Sequence, residues 1–230
     1  MKNDLNILIL LYKMFKCCEK LKNLGFKPLN ILDIGAHHGN WTKEIYNLFP
    51  TSKYILIEPI EYPELKQFNH VPTISVKNVI LNDEEKMVDW YEMRNTGDSM
   101  FKERTHHFSN CVPSKKQSTT LDILFNTNII VDLIKIDVQG AEINVLKGGL
   151  NLIKNTSFII LEMPFMGQYN ENTPNFLEHI KFMDENGFVP YDIIDSHRSD
   201  YLLFQVDMCF INKNHKLNGI MQEKINNMGK

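Results

Sequence analysis

Ile31-Leu32-Asp33-Ile34-Gly35-Ala36-His37-His38-Gly39-Asn40-Trp41 is an apolar run leading into two glycines four residues apart, after which a helical pattern begins. Glycines at such a junction allow a tight turn and let backbone N–H groups approach a ligand at the start of the helix. Glu58 follows Gly35 by 23 residues, at the end of the next apolar run, where Pro59 stops that strand. A carboxylate in this position is placed to accept hydrogen bonds from both ribose hydroxyls of a nucleoside.

Outward from this junction, the chain alternates between the two hydrophobic periods. Strands are expected at 30–34, 54–58, 74–81, 87–93, 129–137, 157–163, 188–194 and 204–211, and helices at 41–48, 60–68, 141–153 and 174–186. Such alternation indicates βαβ units, hence an α/β fold with a mostly parallel sheet covered by helices on both faces. Residues 4–24 carry Ile7, Leu8, Leu11, Phe15, Cys18 and Leu21 at three- and four-residue steps, an amphipathic helix ended by Gly25. The expected organisation is a helical extension over 1–28 and a single domain over 29–230. Residues 94–119 and 164–173 show no period. Long aperiodic loops in a compact domain commonly form binding walls.

The chain has 230 residues, 43% hydrophobic and 23% charged, with a net charge of −3. Of its 25 basic residues only Arg94, Arg104 and Arg198 are arginine. So few guanidinium groups disfavour extensive recognition of phosphate or guanine, and a nucleic-acid partner is not expected. Cys17, Cys18, Cys111 and Cys209 form no C-x-x-C pattern, and His37-His38 and His106-His107 lack zinc spacing. The longest apolar stretch, Ile7 to Leu11, is far too short to span a membrane. A cytoplasmic protein with reduced thiols is expected.

A dinucleotide loop has the form G-x-G-x-x-G, whose second glycine lets the backbone reach the pyrophosphate. Here that position holds His37, which would crowd a diphosphate. The D-x-G-x-x-x-G form suits S-adenosyl-L-methionine, which has no phosphate and can lay its amino-acid moiety against the loop with Asp33 near its ammonium group.

Several segments resemble the FkbM family of S-adenosylmethionine-dependent methyltransferases. Besides Ile31–Gly39 they are Ile57-Glu58-Pro59, Asn78-Val79-Ile80-Leu81-Asn82-Asp83, Thr120-Leu121-Asp122, Leu133-Ile134-Lys135-Ile136-Asp137-Val138-Gln139-Gly140-Ala141-Glu142 and Leu146-Lys147-Gly148. They stand in family order across about residues 29–163. Family members usually carry an acidic residue where this chain has Gln139. The resemblance implies a Rossmann-like class I methyltransferase fold, with a seven-stranded sheet whose one antiparallel strand matches 204–211. It also implies methyl transfer to oxygen on a sugar, glycan precursor or natural product. Asp33, Gly35, Gly39 and Glu58 would bind the cofactor, with His37 and Asn40 in the same loop. Asn82 and Asp83 are candidates for the adenine side.

Asp137 ends the fourth strand of the order, where open α/β sheets bind ligands. It can orient the acceptor, take the proton late in the transition state, or help hold a divalent metal. The first two roles are favoured over the metal, and no metal ligand set is assigned. Glu142 and Glu162 are the carboxylates that can share the site, although Glu142 also suits a helix N-terminus. A neutral imidazole is a better-matched base than a carboxylate, which makes His107 a second catalytic candidate. Ser99, in Gly97-Asp98-Ser99, is a candidate contact to substrate, as is Glu162. A lipid or small natural product is the alternative acceptor. A nucleotide-dependent oxidoreductase or epimerase and an inactive cofactor-binding module are the rival readings; His37 at the second glycine position of the loop disfavours the former.

Overall fold

The structure, a computed structural model, describes residues 2–126, 129–167 and 170–228, with side chains from Ile9 onward; the side chain of Ser199 is not described. The side chains of Ile7 and Leu8, at the start of the amphipathic stripe, are therefore not described, and two positions of the 164–173 loop, Gln168 and Tyr169, lie outside the described residues.

In chain order the elements are α1 (Lys2–Asn23), β1 (Asn30–Ile34), α2 (Asn40–Tyr46), β2 (Lys53–Ile57), a 3-10 helix (Pro63–His70), β3 (Ile74–Lys77), β4 (Ile80–Leu81) and β5 (Met87–Trp90). A one-turn 3-10 helix (His106–Phe108), β6 (Ser114–Thr119), α3 (Leu121–Phe125), β7 (Leu133–Ile136), α4 (Glu142–Lys147) and α5 (Leu150–Ile153) follow. β8 (Phe158–Pro164), α6 (Phe176–Glu185), β9 (Phe188–Ser199), β10 (Leu202–Asn212) and α7 (Lys216–Asn226) complete the chain. Seven strands form the main sheet in the order β3-β2-β1-β7-β8-β10-β9, all parallel except β10, which runs antiparallel to both neighbours. This is the α/β fold of class I methyltransferases, with the expected antiparallel strand in place.

Parallel strands buried on both faces are near-continuous apolar runs, and β1 and β7 follow this apart from Asn30, Asp33 and Lys135. Ile31 and Leu133 pack with Met14, Cys17, Cys18 and Leu21 of α1 and with Trp41 and Ile45 of α2. Leu32, Ile34, Ile134 and Ile136 point the other way, onto Val145 and Leu146 of α4, Leu152 and Ile153 of α5, and Met183 of α6. Two cores thus sandwich the sheet.

The structure departs from the sequence expectations in several places, and four of them have a plain physical reason. The strand expected at 74–81 is two: after Lys77 the chain leaves the main sheet, and β4 joins a second, three-stranded sheet in the order β4-β6-β5. β6 lies in the stretch read as aperiodic. Its sequence, Ser-Lys-Lys-Gln-Ser-Thr, is mostly exposed, and ladder hydrogen bonds to two neighbours hold it rather than a buried face. The helix expected at 141–153 breaks at Gly148-Gly149. A Cβ on Gly148 would lie 2.0 Å from the carbonyl oxygen of Asn82, so the glycines let two backbones touch. The strand expected at 129–137 is trimmed to β7, because Asp132 turns its carboxylate to accept from the N–H groups of Leu29 and Asn30.

Candidate active site

Strand order reverses between β1 and β7, and ligands of open α/β sheets bind above the carboxyl ends of strands at that switch. The loops after these strands meet there. Gly35 has φ +74°, and a Cβ on it would sit 1.8 Å from the carbonyl oxygen of Asp137. No other residue fits. A cavity of about 610 Å³ opens above, within the range of small-molecule sites. Gly35, His37, Asn40, Glu58, Asp137 and Glu162, all named from sequence, line it.

Glu58 is held from behind. One carboxyl oxygen accepts from the backbone N–H of His37 at 2.8 Å and the other from that of Ile60 at 3.0 Å. Burial pushes its pKa up to about 7, against the pull of these two donors. Each oxygen keeps a further lone pair for a ligand hydroxyl. Asn78 donates to the Glu58 carbonyl at 2.9 Å and fixes the strand end.

Lys135 is the buried cation of the site. Its Nζ lies 3.2 Å from Asp137 Oδ2 and 3.8 Å from Asp33 Oδ1, and donates to the Gly35 carbonyl at 3.3 Å. Burial works against its charge, but Asp137 and Asp33 hold its pKa above the ordinary lysine value. Asp137 is only partly buried, and Lys135 and a hydrogen bond from Gln139 keep its pKa below the usual carboxylate range. Gln139, in a left-handed conformation at φ 54°, donates from Nε2 to Asp137 Oδ1 at 2.8 Å and to Glu162 Oε2 at 2.7 Å. The amide bridges two carboxylates that an acidic residue at 139 would repel. Burial, with Asp137 and Asp207 nearby, drives the Glu162 pKa well up.

Other sequence candidates stand behind the wall or away from it. Asp33 is fully buried; its Oδ2 accepts from the Thr42 hydroxyl at 2.7 Å and ties α2 to β1. Gly39 packs against the Phe68 ring, which a Cβ would overlap at 2.4 Å. Asn82, also buried, accepts from Asn144 at 3.1 Å, and Asp83 pairs with Lys86 at 3.0 Å. Val79, Ile80 and Leu81 line the cavity instead. Ser99 is buried, donates to the Gln139 carbonyl at 2.8 Å and accepts from the Phe101 N–H at 3.1 Å. It braces the loop carrying Asp137. Glu142 accepts from the N–H groups of Val138 and Gly140 at 3.0 and 3.1 Å, closing the same loop. His107 is exposed on its 3-10 turn and does not line the cavity.

The cavity also has walls that the motifs did not indicate: Leu10, Leu11 and Met14 of α1, Tyr62, Trp90 and Met100, and His197 and Gln205 of the β9–β10 hairpin. One signal was available for the hairpin. Gln205 and Asp207 are polar residues inside the apolar run Phe204–Ile211. Three lining side chains hold buried polar atoms without a hydrogen-bond partner: His37 Nε2, Trp41 Nε1 and Tyr62 OH. Each such atom costs about 1–3 kcal/mol unless a ligand or water meets it. The His37 ring stays neutral, its pKa lowered to about 4 by burial and by His38. A cavity with a two-oxygen acceptor, neutral donors and no anion-binding cluster of arginines fits a nucleoside without phosphates.

Among solved structures the chain is similar to the FkbM methyltransferase of Methylobacillus flagellatus, at TM-score 0.50 and 13% identity, over 78% of this chain and 43% of that one. The chain thus spans less than half of that protein's length. It is similar, too, to the magnesium protoporphyrin IX methyltransferase of Synechocystis with bound SAM, at TM-score 0.51 and 10% identity, over 88% and 77% of the two chains. An S-adenosylmethionine-dependent methyltransferase from Clostridium acetobutylicum gives TM-score 0.50 and 8% identity over 88% and 91%. At these identities the likeness is one of fold. No curated protein matches the sequence. Residues 33–190, more than half of the chain, match the methyltransferase FkbM domain, and the chain belongs to that family.

Proposed function

We propose that the protein transfers a methyl group from S-adenosyl-L-methionine to a hydroxyl oxygen of a sugar or glycan precursor. The carrying observation is the polarity of the cavity: Glu58 and the glycine loop at one end, and the linked Asp137, Gln139 and Glu162 at the other. Glu58 would hold the ribose hydroxyls, and Gly35, His37 and Asn40 the amino-acid end. When bound, S-adenosylmethionine supplies an electrophilic methyl on a sulfonium, whose C–S electron pair stays with sulfur as the new O–CH3 bond forms.

The chain's own part is orientation and the fate of one proton. Asp137, ionised because Lys135 and Gln139 favour its charge, accepts a hydrogen bond from the acceptor hydroxyl and aims its oxygen along the line of displacement. Such alignment supplies much of the rate of a two-reactant transfer. Asp137 takes the proton late, when bonding to the methyl has made the hydroxyl oxygen positive and its proton acidic, and passes it to solvent. Gln139, Glu162, His197 and Gln205 offer several further hydrogen-bonding groups at this end, as a polyhydroxyl acceptor requires. The apolar side chains of Leu10, Leu11 and Met14 favour a second reading, an acceptor that carries a lipid or other apolar portion.

Calorimetry with S-adenosylhomocysteine and with NAD tests the cofactor; binding of NAD alone would overturn the reading. Labelled methyl donor incubated with carbohydrate, lipid and nucleic-acid fractions tests the acceptor, and label confined to nucleic acid would overturn it. Asp137→Asn should bind S-adenosylhomocysteine normally and lose turnover.

A further inference from the structure

Glu162, His197 and Asp207 come from three adjacent strands, β8, β9 and β10, and each offers one ligand atom within 4.8 Å of the other two. Strand register brings them together. Asp207 faces Glu162 directly in the β8–β10 ladder, and irregularities flanking Gln205 and Asp207 shift β9 so that His197 reaches across. Its Nε2 lies 2.9 Å from Asp207 Oδ2. Bulges of this kind re-aim side chains at functional sites.

Carboxylates crowd this end of the cavity. Asp207 is buried, and Glu162 sits between it and Asp137, while Gln139 brings Glu162 only a neutral amide. Lys135 is already shared by Asp137, Asp33 and the Gly35 carbonyl. A recess of about 20 Å³, room for one water, adjoins Glu162 and Gln205. Glu142 lines it too, and its fully buried Oε2 has no hydrogen-bond partner.

The geometry points to a divalent-cation site formed by Glu162, His197 and Asp207 at the acceptor end of the cavity. Two carboxylates and an imidazole suit Mn²⁺ and its neighbours, which keep water or substrate oxygens in their remaining positions. The recess has room for one such water, beside the Glu142 Oε2 that His179 Nε2 approaches to 3.8 Å. Glu162 and His197 line the cavity, so the open positions of the ion face the acceptor. A hydroxyl bound there becomes more acidic; this use of the site rests on the methyl-transfer reading above, whereas the site itself does not.

The test is titration of chelator-treated protein with Mn²⁺ alone, followed by calorimetry and electron paramagnetic resonance. Wild type should bind one ion. His197→Gln and Glu162→Gln should each weaken it by about 10–100-fold or more, and His70→Gln, at an exposed histidine outside the cavity, should not. S-adenosylhomocysteine binding, measured on the same samples, reports whether each variant is folded. No Mn²⁺ bound at millimolar concentration, or equal binding in wild type and both folded variants, overturns the inference. Mn²⁺ binding without S-adenosylhomocysteine binding to wild type would instead overturn the methyltransferase reading and leave the metal site standing.

Discussion

The two ends of the cavity are built on opposite plans. At the β1–β2 end, carboxylates are anchored to the scaffold: Glu58 accepts two backbone N–H groups and Asp33 the Thr42 hydroxyl. At the β8–β10–β9 end, ionisable side chains bond chiefly to one another, through the Gln139 bridge and the His197–Asp207 pair. Backbone-anchored groups keep one geometry whatever is bound. Side chains that satisfy each other can exchange partners when a ligand or ion arrives. The first plan suits holding a constant cofactor, and the second suits proton handling and a changing acceptor.

Lys135 joins the two plans, so its removal should have the largest effect. Lys135→Met leaves the fully buried Asp33 and the partly buried Asp137 without their cation and should cost about 3–5 kcal/mol of stability in equilibrium denaturation. A loss below 1 kcal/mol would mean that the two ends are electrostatically independent. Gly35→Ala follows. Left-handed backbone alone costs a non-glycine residue about 1–3 kcal/mol, and overlap with the Asp137 carbonyl adds to it. S-adenosylhomocysteine binding should be lost with it.

Glu58→Gln tests the anchored end by itself. An amide can accept from only one of the two N–H groups and opposes a donor to the other. The cost of about 1–3 kcal/mol should appear as roughly 10–100-fold weaker S-adenosylhomocysteine binding, with turnover of bound complex little changed. The same residue sets a pH dependence. Its folded pKa, about 7, lies above the ordinary 4.5, so its protonated form stabilises the empty protein fully below pH 4.5, and that contribution is lost as pH rises through about 7. Affinity for the cofactor, whose hydroxyls need the carboxylate, should therefore rise over the same interval. A flat affinity profile between pH 5 and 8 would remove Glu58 from ribose recognition. Ser99→Ala should have the smallest effect, about 1 kcal/mol, because it removes one brace of the Asp137 loop while Glu142 retains its two.

How far the site could be read from sequence follows the same division. The anchored end is local: Gly35 and Glu58 follow strands whose apolar patterns are plain, and a turn, a helix start and a strand end lie within one βαβ unit. Asp33 and Asn82 show the limit, since a motif position does not say which way its side chain points. Asp33 turns to Thr42 and Asn82 to Asn144, both inside the protein. The β8–β10–β9 end depends on contacts across the sheet. His197 and Asp207 meet only through hairpin register, and no spacing along the chain marks them.

The sequence by itself determined most of the alternation of strands and helices, the glycine turn after β1 and the family, because hydrophobic period, glycine placement and one carboxylate at a strand end are local constraints. Tertiary structure alone decided that β4 and β6 leave for a second sheet, that His107 stays in solvent, and that His197 closes the acceptor end. Those outcomes depend on which backbones can touch, as at Gly148 and Asn82, and on strand register. Both are set by packing between segments 100 residues or more apart, as Gly35 and Lys135 are, where no periodicity can reach.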